Sequence, residues 1–277
     1  MTLLTTSEII KKYDLLAKKS LGQNFILDKN FTDKIVRAAG DLSQSLVLEV
    51  GPGPGSLTRS ILDAGAKKLV SIEMDPRCIN ALQELKNFYG DQFKIVEGDA
   101  LKIDEPKLLT TYHSPLTTNF KIIANLPYNI GTLLIFKWLK NADKISSMHL
   151  MLQKEVVERI VAKPGDNHYG RLAVMVNFLC ETKMLFTVNR NVFTPPPKVT
   201  SAIVEIIPRA KPLAEADFNK LEKVVAAAFS QRRKMVKAGL RSIFKNPEEI
   251  LAEVGIDPNL RAEKLTIEQF CKLANKL

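Results

Sequence analysis

Cysteine is scarce in this chain: only Cys78, Cys180 and Cys271 occur, and they lie far apart. Three widely separated thiols provide neither a metal-binding spacing nor a disulfide framework, which favours a reducing compartment. Long apolar runs are lacking too, since no stretch approaches the roughly 18 residues that a membrane-spanning helix needs. The segment MTLLTTSEIIKKYDLL has no basic region ahead of a long apolar core, so we expect no secretory signal. Together these absences predict a cytoplasmic protein with no membrane partner.

Histidine is equally sparse, which limits the chemistry that the chain can perform. His113, His149 and His168 match no catalytic spacing, and we interpret them as surface or structural residues. We also expect no metal site. Any reaction carried out by this chain should therefore need neither a histidine base nor a metal ion.

Acidic residues are outnumbered: 30 Asp and Glu stand against 40 Lys and Arg, which gives a net charge of +10. A basic balance favours a polyanionic partner, because Lys and Arg contacts to phosphates release counterions. Between Glu222 and Glu248 there is no acidic residue. The basic residues of that segment are Lys223, Arg232, Arg233, Lys234, Lys237, Arg241 and Lys245. The segment suits either an RNA-binding surface or the solvated face of a helix, and both interpretations remain open.

Short apolar runs alternate with segments of helical spacing, which is typical of an α/β fold. The runs SLVLEV, KKLVSIEMD, FKIVEGDA and FKIIANLPY each end in Gly, Asp, Glu or Asn. The alternation predicts a parallel sheet with helices on both faces, and residues 146–153, 183–193 and 200–208 extend it to seven strands. After Pro208 the segment RAKPLAEADF is typical of a linker, and residues 215–277 have helical periodicity. We therefore expect two domains, residues 1–208 and a small all-α domain at residues 209–277.

The residues that follow the predicted strands form a candidate binding site. In an open parallel sheet, ligands bind beyond the carboxyl ends of the strands. Gly51, Gly53 and Gly55 follow the first strand, with prolines between them. This glycine spacing differs from that of dinucleotide-binding loops. Glu73 follows the second strand and could accept both hydroxyls of a ribose; Asp99 follows the third and could accept from the amine of a nucleobase. This order predicts an adenosine pocket with a neutral or cationic tail, which fits S-adenosylmethionine. Alternatively, Glu73 and Asp99 could cap the helices that follow them.

The motif Asn-Leu-Pro-Tyr after the fourth predicted strand supplies a chemistry for that pocket. The side-chain oxygen of Asn125 and the carbonyl of Leu126 can accept both hydrogens of an exocyclic adenine amine. The nitrogen lone pair is then freed for attack on a methyl group. Pro127 fixes the backbone, and Tyr128 offers a face on which a flipped base stacks. No strong base is needed, because the alkylated nitrogen loses its proton readily.

At this point the sequence resembles a known family, the ribosomal RNA adenine N6,N6-dimethyltransferases. The resemblance rests on KKSLGQNFILD, EVGPGPGSLT, IEMD, EGDAL, NLPYNIGT, VFTPPPKVTSAIV and FSQRRKMV, which occur in the family's order. It implies a Rossmann-like class I methyltransferase sheet of seven strands with a small C-terminal all-α domain. The PPPKV and FSQRRK segments favour the bacterial small-subunit branch, linked to kasugamycin sensitivity. That branch uses S-adenosylmethionine to dimethylate two adjacent adenines in a hairpin loop near the 3′ end of small-subunit (16S) ribosomal RNA. The implied partner is the immature small subunit, and we expect a monomer.

The resemblance also assigns roles to residues. It adds Gln23, Asn24, Ile26 and Ala100 to the cofactor pocket of Gly51, Gly53, Glu73, Asp99 and Asn125. It places Phe193 on the target base beside Asn125, Leu126, Pro127 and Tyr128. The residues expected to bind RNA are Lys198, Arg232, Arg233, Lys234 and Lys237. Ile26 stands where the family usually has Leu, a small departure because the contact is mainly through the backbone. Taken alone, Phe193 at a strand end is more typical of a core residue, whereas the prolines of FTPPPKV favour the stacking position. The arginines could serve packing of the helical tail as well as RNA binding.

Three other functions remain in view. DNA-adenine and protein-glutamine methyltransferases carry Asn-Pro-Pro-Tyr, so Leu126 argues against both. A large-subunit (23S) methylase of the erythromycin-resistance type shares the catalytic core and differs in the RNA that it accepts. A ribosome-assembly factor that acts mainly by binding is the third.

Overall fold

The computed structural model describes residues 3–15, 24–112 and 119–277. The helices are α1 (Thr6–Lys12), α2 (Lys29–Ala38), α3 (Ser56–Asp63), α4 (Pro76–Tyr89), α5 (Glu105–Thr110), α6 (Gly131–Leu139), α7 (Lys154–Val161), α8 (Arg171–Leu179), α9 (Phe218–Phe229), α10 (Val236–Leu240), α11 (Pro247–Glu253) and α12 (Ile267–Ala274). The strands are β1 (Phe25–Ile26), β2 (Leu46–Val50), β3 (Lys68–Glu73), β4 (Phe93–Glu97), β5 (Phe120–Asn125), β6 (Ile145–Gln153), β7 (Cys180–Val188), β8 (Phe193–Thr194) and β9 (Ser201–Pro208).

A seven-stranded sheet with the order β4-β3-β2-β5-β6-β9-β7 forms the centre of the α/β region. Strands β4, β3, β2, β5 and β6 are parallel, and every residue of β2 is buried, as expected for a strand covered on both faces. The seven predicted strands are confirmed, but the sheet is not parallel throughout. Strand β9 runs antiparallel to β6, from Met148 opposite Ile206 to Gln153 opposite Ser201. Residues 154–200 separate the two strands, so this antiparallel pair is not a hairpin; β9 instead follows its other neighbour, β7, after residues 189–200.

The chain order reverses between β2 and β5. The path runs outward from β2 through β3 to β4, then returns to β5 on the other side of β2. At such a switch point the two loops that leave the strands diverge and open a crevice. The ends of β2 and β5 carry the glycine loop and the Asn-Leu-Pro-Tyr motif, so the topology brings these two motifs to one crevice.

Two compact units divide the chain. The first comprises Met1–Lys154 and Lys183–Pro208, and the second Glu155–Thr182 and Arg209–Leu277. The sequence placed residues 155–182 in the larger domain, whereas they pack within the second unit. The physical reason is visible in two contacts: the Tyr169 ring meets the Phe229 ring edge-on with centroids 6.2 Å apart, and Arg171 pairs with Glu222 at 2.8 Å.

The second unit has its own apolar core. Buried side chains of α9 and α12, including Leu221, Val225, Phe270 and Leu273, form much of that core. Asp217 caps α9, and a capping box of Thr266 and Gln269 begins α12. In the part of the chain that the structure describes, no helix is long and apolar enough to cross a bilayer.

Candidate active site at the carboxyl edge of the sheet

A cleft lies at the switch point, within the first unit. The residues that line it come from β1 and from the ends of β2, β3, β4 and β5, together with the loops that follow them. They include the predicted residues Asn24, Ile26, Gly51, Gly53, Glu73, Asp99, Ala100, Asn125, Leu126, Pro127 and Tyr128. One cleft therefore collects residues that are about 100 positions apart in the sequence, because parallel strands present their carboxyl ends at one edge.

The backbone of the glycine loop has φ angles in the left-handed region at all three of its glycines, Gly51, Gly53 and Gly55. Gly51 and Gly53 have φ angles of 69° and 55°, in the left-handed region. A Cβ on Gly51 would lie 3.5 Å from the Pro127 ring, and one on Gly53 would lie 3.2 Å from the Phe25 ring. The loop is thus pressed between the Asn-Leu-Pro-Tyr motif and β1.

Glu73 organises the backbone around the cleft. Its Oε2 accepts from the Gly53 N–H at 3.1 Å, and its Oε1 accepts from the Met74 and Asp75 N–H groups at 2.8 and 2.9 Å. Burial raises the pKa of the Glu73 carboxyl, and these backbone donors oppose that shift. Helix α4 is capped by Asp75, not by Glu73. The helix-cap interpretation of Glu73 is therefore wrong.

Asp99 lies on the loop after β4, and it is not a helix cap either. Its Oδ1 accepts from the Leu101 N–H at 3.0 Å, and Asp104 caps α5. Its Oδ2 is approached by the Lys102 ammonium at 3.8 Å, and the side chain is 32% exposed. One carboxylate oxygen thus fixes the turn, while the other accepts no hydrogen bond recorded among the described residues.

Asn125 and Leu126 both line the cleft, and each carries an oxygen that can accept a hydrogen bond. The Asn125 Nδ2 donates to the Asn24 carbonyl at 3.4 Å. The Pro127 carbonyl accepts from the N–H groups of Ile130 and Gly131 at 3.2 and 3.1 Å, which starts α6. Among the described residues, none donates to the Asn125 Oδ1 or to the Leu126 carbonyl. The two oxygens required by the predicted chemistry are therefore available.

Tyr128 is held in place by a residue that the sequence did not single out. Its hydroxyl lies 2.6 Å from the Oγ of Ser201, at the first position of β9. Burial raises the pKa of the Tyr128 phenol, and the bond to Ser201 opposes that shift. The ring is half-buried and its orientation is fixed.

Glu49 is a second site residue that sequence reasoning missed. It is 1% exposed, and its Oε2 accepts from the hydroxyls of Thr58 and Ser71, both at 2.7 Å. Burial raises its pKa to about 7, and nearby Glu73 adds to this effect. A carboxylate inside the apolar run LVLEV was the available signal, since a charge seldom occurs in a buried strand without a partner.

Among the predicted site residues that the structure describes, Phe193 does not line the cleft. Gln23 lies outside the described residues. Phe193 is 2% exposed and belongs to the apolar core, and it pairs with Ile26 across β1 and β8. Its surroundings match the core interpretation that the sequence left open, and its stacking role stays a prediction.

The residues expected to bind RNA fall on both units. Lys198 is an exposed residue of the first unit. In the second unit, Arg232 donates to the Asn167 and Tyr169 carbonyls and lies 3.5 Å from Glu263, and Lys237 pairs with Glu248 at 3.0 Å. Arg233 and Lys234 are exposed, and no described acidic residue pairs with either. Arg232 and Lys237 thus have structural contacts already, while Arg233 and Lys234 are free for a ligand.

The cleft is acidic, and this decides which ligands it fits. Glu49, Glu73 and Asp99 line it, and none of its described lining residues is Lys, Arg or His. A pyrophosphate would find no cation there, whereas a nucleoside with a positively charged tail would be favoured. The residues present therefore fit S-adenosylmethionine.

Comparison with known proteins identifies the family. A family model described as ribosomal RNA adenine dimethylase matches residues 15–277. The ribosomal RNA small subunit methyltransferase A of Paramagnetospirillum magneticum is 48% identical over 270 residues, covering 98% of this chain and 93% of the relative. The protein of the same name from Agrobacterium fabrum is 49% identical over 273 residues, covering 98% and 96%.

Solved structures agree with this assignment. A dimethyladenosine transferase from Plasmodium falciparum superposes with a TM-score of 0.76 at 30% identity, covering 90% of this chain and 95% of that one. The 23S rRNA methyltransferase ErmE gives a TM-score of 0.67 at 29% identity, covering 92% and 99%. These structures share the class I methyltransferase fold predicted from the sequence, and that prediction is confirmed. Because the family model and the relatives extend over nearly the whole chain, the chain belongs to the ribosomal RNA adenine dimethylase family.

Proposed function

We propose that this chain dimethylates N6 of two adjacent adenines in a hairpin loop near the 3′ end of 16S ribosomal RNA during small-subunit biogenesis. The reaction class is that of the family: S-adenosylmethionine-dependent dimethylation of ribosomal RNA adenines. The small-subunit substrate is supported by relatives that are 48–49% identical over nearly their full length and are named for the small subunit. A loop is a favourable target, because unpaired bases flip at low cost.

The availability of the Asn125 Oδ1 and the Leu126 carbonyl is the observation that carries this proposal. S-adenosylmethionine, when bound, supplies a methyl group on a cationic sulfonium. The two oxygens accept the two hydrogens of the adenine amine and thereby favour a pyramidal nitrogen whose lone pair is available. Pro127 keeps the Leu126 carbonyl in position, since its ring lies against Gly51. After the first transfer the methylated nitrogen releases one proton and keeps one hydrogen, and the same arrangement serves the second transfer.

The other cleft residues hold the two substrates. Glu73 accepts the ribose hydroxyls, and the Oδ2 of Asp99 accepts the adenine amine of the cofactor, with Ala100 beside it. Asn24 and Ile26 close the methionine end. Tyr128, fixed by Ser201, stacks on the flipped adenine. Arg233, Lys234 and Lys198 bind RNA phosphates.

The test is transfer of labelled methyl groups to purified immature small subunits and, in parallel, to naked 23S RNA. Digestion to nucleosides then identifies the product. Dimethyladenosine in the small subunit alone is expected. Label in 23S RNA would contradict the substrate assignment and favour the large-subunit function, which the likeness to ErmE keeps as a second candidate. Tight subunit binding with no label on either RNA would contradict the enzymatic role and favour assembly by binding.

A further inference from the structure

Lys137 lies on α6 and reaches the loop that joins β4 to α5. Its Nζ donates to the Ala100 carbonyl at 2.6 Å and to the Ile103 carbonyl. It also lies 2.8 Å from the Oε2 of Glu105, the first residue of α5. An ammonium has three hydrogens to donate, and Lys137 has three acceptors. Its hydrogen bonding is therefore saturated.

Glu105 makes this arrangement rigid. Its side chain is 1% exposed, and its Oε1 accepts from the Trp138 Nε1 at 2.9 Å. Trp138 itself is buried in the core. A buried carboxylate needs a charged partner as well as hydrogen bonds, since an unpaired buried charge is strongly unfavourable. The ammonium group of Lys137, a residue of α6, is thus held in a fixed position against α5.

The loop that Lys137 holds carries Asp99 and Ala100. The Asp99 carbonyl accepts from the Lys102 and Ile103 N–H groups at 2.9 and 3.2 Å. These bonds close the turn internally, and the two carbonyls at Ala100 and Ile103 are bonded from outside the loop by the one ammonium. Without Lys137, the loop would keep its local turns and lose its anchor to α6.

We propose that Lys137 is a positioning residue for the adenine end of the cofactor. This proposal rests on the proposed function, in which Asp99 and Ala100 contact that adenine. Helix α6 begins six residues earlier, at Gly131, with two residues between it and the Asn-Leu-Pro-Tyr motif. The same helix therefore fixes the motif that holds the target amine and, through Lys137, the loop that holds the cofactor.

The test measures binding of S-adenosylhomocysteine by titration calorimetry in the full chain, for Lys137→Met, Asp99→Ala and the double variant. Each single variant is expected to weaken binding about tenfold or more. The double variant should bind only about as weakly as the weaker single one, because residues that act through one contact are not additive. The Lys137→Met substitution should change kcat, measured at saturating cofactor, less than it changes the KM for the cofactor.

Lys121→Met is the matched control. The Lys121 Nζ also donates to two carbonyls, those of Ala39 and Asp41 at 2.8 and 2.9 Å, but at the opposite end of β5 from the cleft. The Lys121→Met substitution should lower the melting temperature and leave the affinity for S-adenosylhomocysteine unchanged. If Lys137→Met does not fold, Lys137→Arg is compared with Lys121→Arg, because a planar guanidinium cannot direct its donors to the same three acceptors. Of these two variants, only Lys137→Arg should weaken binding of S-adenosylhomocysteine.

The outcomes separate the two proposals. If Asp99→Ala weakens binding and the position 137 variant binds like the wild type, the role of Lys137 is wrong and the proposed function stands. Strictly additive losses in the double variant would also overturn it. If Asp99→Ala binds like the wild type, the assigned adenine position is wrong, and both proposals lose that part of the site.

Discussion

The carboxylates of Glu49 and Glu73 are both buried at the cleft, and their hydrogen-bond partners differ. Glu73 accepts from three backbone N–H groups, which favour its ionised form. Glu49 accepts from two hydroxyls only, and burial raises its pKa to about 7. Because the pKa of Glu49 lies near 7, part of the Glu49 population is uncharged at neutral pH, which reduces the repulsion between the two neighbouring carboxyl groups.

Glu49 should make the stability of the protein depend on pH. The carboxyl ionises near pH 4.5 in the unfolded chain and near pH 7 in the folded one. Its contribution to the free energy of unfolding is thus fully present below pH 4.5 and is lost as pH rises through 7. A tenfold difference in a proton-binding constant corresponds to about 1.4 kcal/mol, so the stability lost between pH 4.5 and pH 7 is about 3 kcal/mol.

Glu49→Gln should remove this dependence, because an amide does not ionise. Urea unfolding at pH 4.5 and pH 8 is the measurement. The variant should be close to the wild type at the lower pH and more stable than it at the higher pH. If the wild type and the variant lose equal stability between pH 4.5 and pH 8, the pH dependence does not come from Glu49.

Asn125→Ala tests the residue at the centre of the proposed chemistry. Removal of one acceptor that acts mainly in the transition state should lower kcat by about 100-fold or more. Affinity for S-adenosylhomocysteine should fall far less, since Glu73 and Asp99 remain. Labelled methyl transfer and calorimetry measure the two effects. Asn259→Ala, at an exposed position of the second unit, is the control and should change neither.

At the scale of elements, the packing of α10 against α9 depends on one glycine. A Cβ on Gly239 would overlap the Ala227 carbonyl oxygen and crowd the Ala228 carbonyl, both in α9. Such backbone atoms cannot rotate away as a side chain would. The close approach therefore requires glycine in α10, where its low helix propensity would otherwise be a disadvantage.

Gly239→Ala should destabilise the second unit by about 1–3 kcal/mol, the usual cost of overpacking. Gly170→Ala is the control, because Gly170 has extended backbone and no atom within 4 Å of its Cβ position. Thermal unfolding followed by circular dichroism compares the two. Equal small changes would show that α10 moves freely to accept the methyl group.

At the scale of the whole molecule, the net charge of +10 favours RNA, but the ion pairs decide which cations can be used. Lys237 is neutralised by Glu248 at 3.0 Å, and Arg232 is bonded to two carbonyls. Arg233 and Lys234 have no described acidic partner. RNA affinity should therefore depend on the latter two more than on Lys237.

Arg233→Gln with Lys234→Gln should weaken RNA binding and reduce the dependence of log K on log salt concentration by about 1.4–1.8 for two lost phosphate contacts. Binding to a 16S RNA fragment between about 50 and 200 mM salt measures this slope. Lys237→Gln should change the slope less. A larger change at Lys237 would show that the pair with Glu248 opens on the RNA.

Much of this protein could be predicted from residues close together in the sequence. The apolar runs gave the seven strands, and the residues directly after them, from Gly51 to Asn125, gave most of the cleft. This succeeds because parallel strands bring their carboxyl ends to one edge whatever the details of packing. Local patterns also distinguish a turn, a strand and a helix, so the motifs could be assigned to loops in advance.

Only the tertiary structure decided the remaining features, since each depends on contacts between residues distant in the sequence. Burial of Phe193, the hydroxyl partners of Glu49, the bond from Ser201 to Tyr128 and the anchoring of Ala100 by Lys137 all join separate elements. Packing also placed residues 155–182 with the second unit. The sequence alone indicated most of the residues that line the cleft, and the folded chain determined the charge, orientation and accessibility of each, because these properties depend on neighbours that no local pattern specifies.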